Sequence, residues 1–201
     1  MEYQTVLDFW FGQQAAQTSS ADIAKAQASL WWGKDSALDQ QILQRFEPVL
    51  KGLISGQYPH WLDKPQSKLA AIIVLDQFSR NMYRNSGAAF CQDSLALHWA
   101  LEMIRQGQDK QLSLIERVFL YMPLEHSEQL IMQKLCLEKF QQLAAEAPQS
   151  FSEQAQSYVD FAQRHLDIIE RFGRFPHRNS VLNRVSNEEE LQFLQQPGSS
   201  F

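Results

Sequence analysis

At 201 residues and 23.3 kDa the chain falls in the single-domain range, long enough to bury roughly 70 % of the surface its unfolded form exposes. A net charge of -5 and a pI near 5.5 give no basic footprint for nucleic acid. No run of about 18 apolar residues is present to span a membrane, and no basic segment precedes a hydrophobic stretch at the N-terminus, so a cytoplasmic location is expected.

Taken in chain order, the pattern is helix after helix. Tyr3 to Phe11 is short and apolar and stops at Gly12, Asp22 to Trp32 follows a polar loop, and Ser36 to Ile54 carries Leu38, Ile42, Phe46, Val49 and Leu53 at three- and four-residue spacing. Gln66 to Tyr83 is the most hydrophobic helix, and Ala88 to Arg105 is the next. Leu112 to Tyr121 is expected to end ahead of Pro123, because a proline disfavours helical geometry in its predecessor. Leu124 to Ala145 and Ser152 to Phe172 are the long C-terminal helices. An irregular segment runs from Gly173 to Asn179, and a capping box at Asn187-Glu-Glu-Glu190 opens a last short helix. No strand alternation appears. The expectation is one all-α domain of eight to ten helices over residues 1–196, with a tail at 197–201. Cys91 and Cys136, each inside a helical pattern, read as two buried thiols in a reducing compartment.

Charges on apolar faces carry the functional information. In the 66–83 helix, Asp76 and Arg80 project on the side of Leu69, with Arg84 beside them, while Phe78 faces the opposite apolar side. A buried charge costs several kcal/mol unless paired, so these groups form an i,i+4 pair, face a wet site, or both. In the 124–145 helix, Glu125 projects with Met132 and Cys136, flanked by Glu128, and His126 lies toward Gln133 and Phe140. His165 falls among Tyr158, Phe161 and Ile169, where a hydrogen-bonded core histidine is the ordinary reading. From Arg164 to Arg184 there are five arginines and no lysine. Arginine without lysine suits bidentate recognition of carboxylate or phosphate. Gly-rich phosphate loops, His-Glu-x-x-His, Cys-x-x-Cys and Gly-x-Ser-x-Gly are all missing, so no cofactor is expected.

Three segments, Leu75-Asp-Gln-Phe-Ser-Arg-Asn-Met-Tyr-Arg84, Tyr121-Met-Pro-Leu-Glu-His-Ser-Glu128 and Arg171-Phe-Gly-Arg-Phe-Pro-His-Arg-Asn179, resemble the signature segments of a widespread bacterial family of uncharacterised proteins, a domain of unknown function. The ends of the chain match as well. The resemblance implies a TPR-like, right-handed all-helical array, and with it a fold rather than an activity. The family pattern usually has proline where this chain has Ser79, and Gly-Arg-x-Ser-Thr where it has Asn183-Arg-Val-Ser-Asn187. Ser79 is expected to leave its helix less disturbed, and Asn183 to keep a left-handed turn.

The matching segments supply the residues that the helical projections single out. Asp76, Arg80, Arg84, Glu125, His126, Glu128, Arg174, His177 and Arg178 are the candidate ligand-binding set, expected around one cavity for a small anionic ligand. His126, His177 and Glu125 are the candidates for acid–base catalysis. A TPR-like module that binds a protein or peptide is the second reading. A metal-dependent hydrolase using Glu125, His126, Glu128 and His165 or His177 is the third, its ligand spacing not diagnostic and no metal assigned.

Overall fold

Several helix ends are written locally. A computed structural model of the chain describes residues 1–199. Helix α1 runs Tyr3–Phe11, α2 Ser20–Trp32, α3 Ser36–Ile54, α4 Pro65–Ile73, α5 Ser79–Met82, α6 Asp93–Arg105, α7 Leu114–Glu125, α8 Leu130–Glu146, α9 Ser152–Phe172 and α10 Glu188–Phe193. The chain is all-α, 73 % helix with no strand among the described residues, and forms a single domain. Of the expected tail at 197–201, the last two positions lie outside the described residues. Asp35 caps α3 by accepting the Ala37 and Leu38 N–H groups. Ser113 with Glu116, and Asn187 with Glu190, form capping boxes at α7 and α10. Gly173, at φ 68°, closes α9 in the left-handed region that a side chain would strain.

The core is aromatic. Phe78 is fully buried and meets Phe46 at 4.7 Å, Trp10 at 5.3 Å and Phe9 at 5.8 Å between ring centroids. Phe119 brings α7 onto the same cluster through Trp10 and Trp31. Helices α8 and α9 pack antiparallel, with Phe140 against Tyr158 near one end and Lys134 beside Glu170 toward the other. A smaller apolar cluster of Ile168, Ile169 and Phe175, with Phe172 and Phe193 against it, anchors the segment after α9.

Four expectations need correction. Helix α7 does not stop before Pro123 but continues to Glu125, because Phe119 and Leu124 are fully buried and the proline removes only one late ladder bond. Helix α8 therefore starts at Leu130, and His126, Ser127 and Glu128 stand in a loop instead of on its first turn. The buried Gln133 amide fixes this break by donating to the carbonyls of Leu124 and Glu125 at the end of α7 and of Ser127 in the loop. The helix expected at 66–83 is interrupted by a π-helical turn, Val74–Phe78, so Ser79 in place of proline does not make it regular. Cys136 is buried, whereas Cys91 is exposed, because residues before it form a 3-10 turn, Gly87–Phe90, and α6 begins only at Asp93. Asn183 does adopt φ 53°, the left-handed geometry expected of it.

Candidate functional site

The π turn places Asp76 in the interior, and the loop after α7 places His126 against it. Asp76 Oδ1 lies 2.8 Å from His126 Nδ1 and 3.0 Å from an Arg80 Nη, and its Oδ2 accepts from the Gln77 amide at 2.5 Å. Burial opposes ionisation of Asp76, but the Arg80 charge and the His126 and Gln77 contacts hold its carboxyl well below the ordinary carboxylate range. For His126, burial and then the Arg80 charge outweigh Asp76 and lower its pKa, which keeps the ring neutral near pH 7. A neutral ring bonded this way carries its proton on Nδ1 and a lone pair on Nε2. No hydrogen bond within the described residues engages Nε2.

Arg80 reaches across to α6, where it makes a bidentate pair with Asp93 at 3.0 and 3.0 Å. The 3-10 turn after α9, Pro176–Arg178, delivers Arg178 to the same place. Its guanidinium is sandwiched between the Phe90 and Phe175 rings, 4.7 and 4.4 Å from their centroids, and Nη1 donates to the His126 carbonyl at 2.9 Å. Nη1 is also 3.8 Å from Asp93 Oδ2, while the buried Nε has no acceptor among the described residues. Burial and the nearby Arg80 charge pull Arg178 down to about 10. Arg80 also lies over Phe90, at 5.5 Å, so one ring faces both cations.

Glu128 ties the loop to the C-terminal segment. It takes two hydrogen bonds from Arg184, at 2.7 and 2.9 Å, and one from the Phe175 N–H at 2.8 Å. His177, its ring 5.7 Å from that of Phe175, is pushed down to about 4 by burial and by the Arg178 charge. Glu125 contacts His165 at 3.0 Å, and both side chains are buried; His165 Nδ1 also lies 2.9 Å from the Phe161 carbonyl.

Of the nine expected residues, Asp76, Arg80, His126, Glu128, His177 and Arg178 belong to this cluster, and Glu125 sits behind it with His165. Arg84 is engaged elsewhere, by Asp39 at 2.6 and 2.8 Å, and Arg174 forms its own pair with Glu190 at 2.6 and 2.8 Å. Within the cluster the charged groups bond one another directly. Two shallow depressions of about 360 and 390 Å³ lie along the α2–α3 and α1–α2 connections, and no cluster residue lines them. Among the described residues no three His, Cys, Asp or Glu side chains are arranged to hold a metal ion. Glu125 turns to His165 while His126 turns to Asp76, which separates the ligands that the hydrolase reading requires.

Sequence reasoning missed Asp93 and the pairing role of Arg184. Asp93 opens α6, where an acid reads as an ordinary match to the helix dipole. Nothing in the local pattern distinguishes it from such an acid.

The fold is that of an all-helical domain. Residues 6–198 match the family described as "Bacterial protein of unknown function (DUF924)", and the chain belongs to that family. A solved structure, "Structure of Protein of Unknown Function ATU0120 from Agrobacterium tumefaciens", is 34 % identical, covers 96 % of both chains and superposes with a TM-score of 0.79. No curated protein matches the chain. No helix among the described residues is long and apolar enough to cross a membrane.

Proposed function

We propose that this junction binds a small anionic ligand through a carboxylate or phosphate group held by Arg80 and Arg178. The observation that carries the reading is Asp93. Its carboxylate, 22 % exposed at the rim, takes a bidentate grip from Arg80 and lies 3.8 Å from Arg178. The two cations are thus already set for a planar oxyanion, and Asp93 stands where the ligand's own anion goes. Arg178 has donor capacity left over, since its buried Nε lacks an acceptor among the described residues. The π turn that presents Asp76 and Arg80 supports the same reading, because such turns concentrate at functional sites.

In this scheme an incoming anion displaces Asp93 toward solvent, which an acid on a first helical turn can reach by a rotamer change. Removing the internal competitor must therefore strengthen binding. Isothermal titration with inorganic phosphate, and separately with succinate, tests this and distinguishes the two kinds of anion. Asp93→Asn is expected to bind at least about tenfold tighter than the natural chain, and Arg178→Met to lose binding. No heat of binding from either anion, with either the natural chain or Asp93→Asn, excludes the reading.

A further inference from the structure

Arg80 and Arg178 both approach His126: Arg80 shares Asp76 with its ring, and Arg178 donates to its backbone carbonyl. His126 comes from the α7–α8 loop, its backbone carbonyl accepts from Arg178, and its Nδ1 is fixed by Asp76 at 2.8 Å. The ring keeps 12 % of its surface exposed, and Nε2 points away from the Asp76 bond by the geometry of the imidazole. The charged and titratable groups facing it come from three elements: Asp76 and Arg80 from the interrupted helix, Asp93 from α6, and His177 and Arg178 from the segment after α9. Asp76 is locked on three sides, by His126, Arg80 and Gln77, so it cannot swing to serve a ligand itself. What it can do is hold one tautomer and one orientation of the ring.

We infer that Asp76 and His126 form an acid–base dyad, in which His126 Nε2 exchanges a proton with the ligand held by Arg80 and Arg178, and Asp76 is its positioning residue. The inference rests on the anion reading above. The ligand class it implies is a small phosphate or carboxylate that carries an exchangeable O–H near the anionic group. The step is a proton transfer: the ligand O–H bond breaks, an Nε2–H bond forms, and the electron pair stays on the ligand oxygen. The imidazolium is then neutralised by Asp76, and the added negative charge on the ligand by the two arginines.

The test is nitrogen-15 NMR of the histidine side chains of the full chain, titrated with inorganic phosphate. In the free protein near pH 7, His126 should appear as the neutral Nδ1–H tautomer. At saturating phosphate its Nε2 signal should move toward the protonated position, and over the pH range where free phosphate is the dianion its affinity should rise by up to about tenfold per pH unit on acidification. His126→Gln should still bind phosphate and lose that pH dependence, while Asp76→Asn should lose the single tautomer. If Asp76→Asn does not fold, His126→Gln alone carries the comparison. Phosphate binding with an unmoved His126 signal overturns the dyad and leaves the anion site standing. Absence of both phosphate and succinate binding, in the natural chain and in Asp93→Asn, removes the anion site, and the dyad with it.

Discussion

Glu128 and Arg184 grip each other through two hydrogen bonds, 2.7 and 2.9 Å, across 56 residues of chain. Because Glu128 also accepts the Phe175 N–H and Arg184 also donates to the Phe175 carbonyl, this one pair fixes the strand of backbone that carries His177 and Arg178. A double-mutant cycle of Glu128→Gln and Arg184→Met should give a coupling energy of about 1–2 kcal/mol. Hydrogen exchange should quicken in residues 173–187 before it does in α8 and α9. A coupling near zero sinks the idea that the pair anchors the segment.

Phe78 is at the centre of the aromatic core, on the face of its helix away from the charges. Phe78→Ala should cost about 3–5 kcal/mol, read from the urea midpoint. Arg178→Met should cost less than this, since methionine keeps the packing between Phe90 and Phe175 and gives up one hydrogen bond, to the His126 carbonyl. Equal losses at the two positions count against a ligand role for Arg178.

Asn183 adopts φ 53°, so Asn183→Gly should be neutral or slightly stabilising, and Asn183→Val should lose about 1–2 kcal/mol. Thermal melts of the two variants check this. A valine that melts with the natural chain means the turn relaxes at no cost.

Acid should unfold the protein in two stages. His177 is held near 4 against an ordinary 6.5, and His126 is also lowered. Between those values the unfolded chain takes up protons that the folded chain refuses. The stability present above pH 6.5 therefore falls as the pH drops through that window, by roughly 3 kcal/mol for His177. Asp76 and Glu190 act in the lower window. Their carboxyls are depressed in the fold, so their contribution is present above the ordinary carboxylate pKa and is lost only as the pH falls through the folded values. His177→Gln should flatten the first stage and leave the second. Urea titrations near pH 7, near pH 4 and near pH 2 separate the two stages.

The all-helical class, the span of α9 and the burial of Phe78 were legible because periodicity and caps are local signals. The ends of α7 were not, since Pro123 argued for a stop and the burial of Phe119 and Leu124, a tertiary effect, overrode it. That error put Glu125, His126 and Glu128 on the wrong element, yet the motif still identified two of them as members of the cluster. Projection grouped Arg84 with Arg80, but the helix ends at Met82, and Arg84, in the turn that follows, finds Asp39 on α3. Asp93 was invisible because its partners, Arg80 and Arg178, lie far from it in sequence on either side.

The π turn at Val74–Phe78 has a consequence for length as well as for geometry. It is an α-helix that has accepted one residue more than its ladder counts, so the helix runs in two rotational phases, one before the turn and one after it. Excising a single residue there would restore regular bonding and swing Arg80, Asn81 and Arg84 through about 100° relative to Leu69 and Ile72. Arg80 would leave Asp93, and both Asn81 and Arg84 would leave Asp39. The number of residues in this helix is therefore constrained as tightly as their identity, and a deletion here is a different kind of change from any substitution.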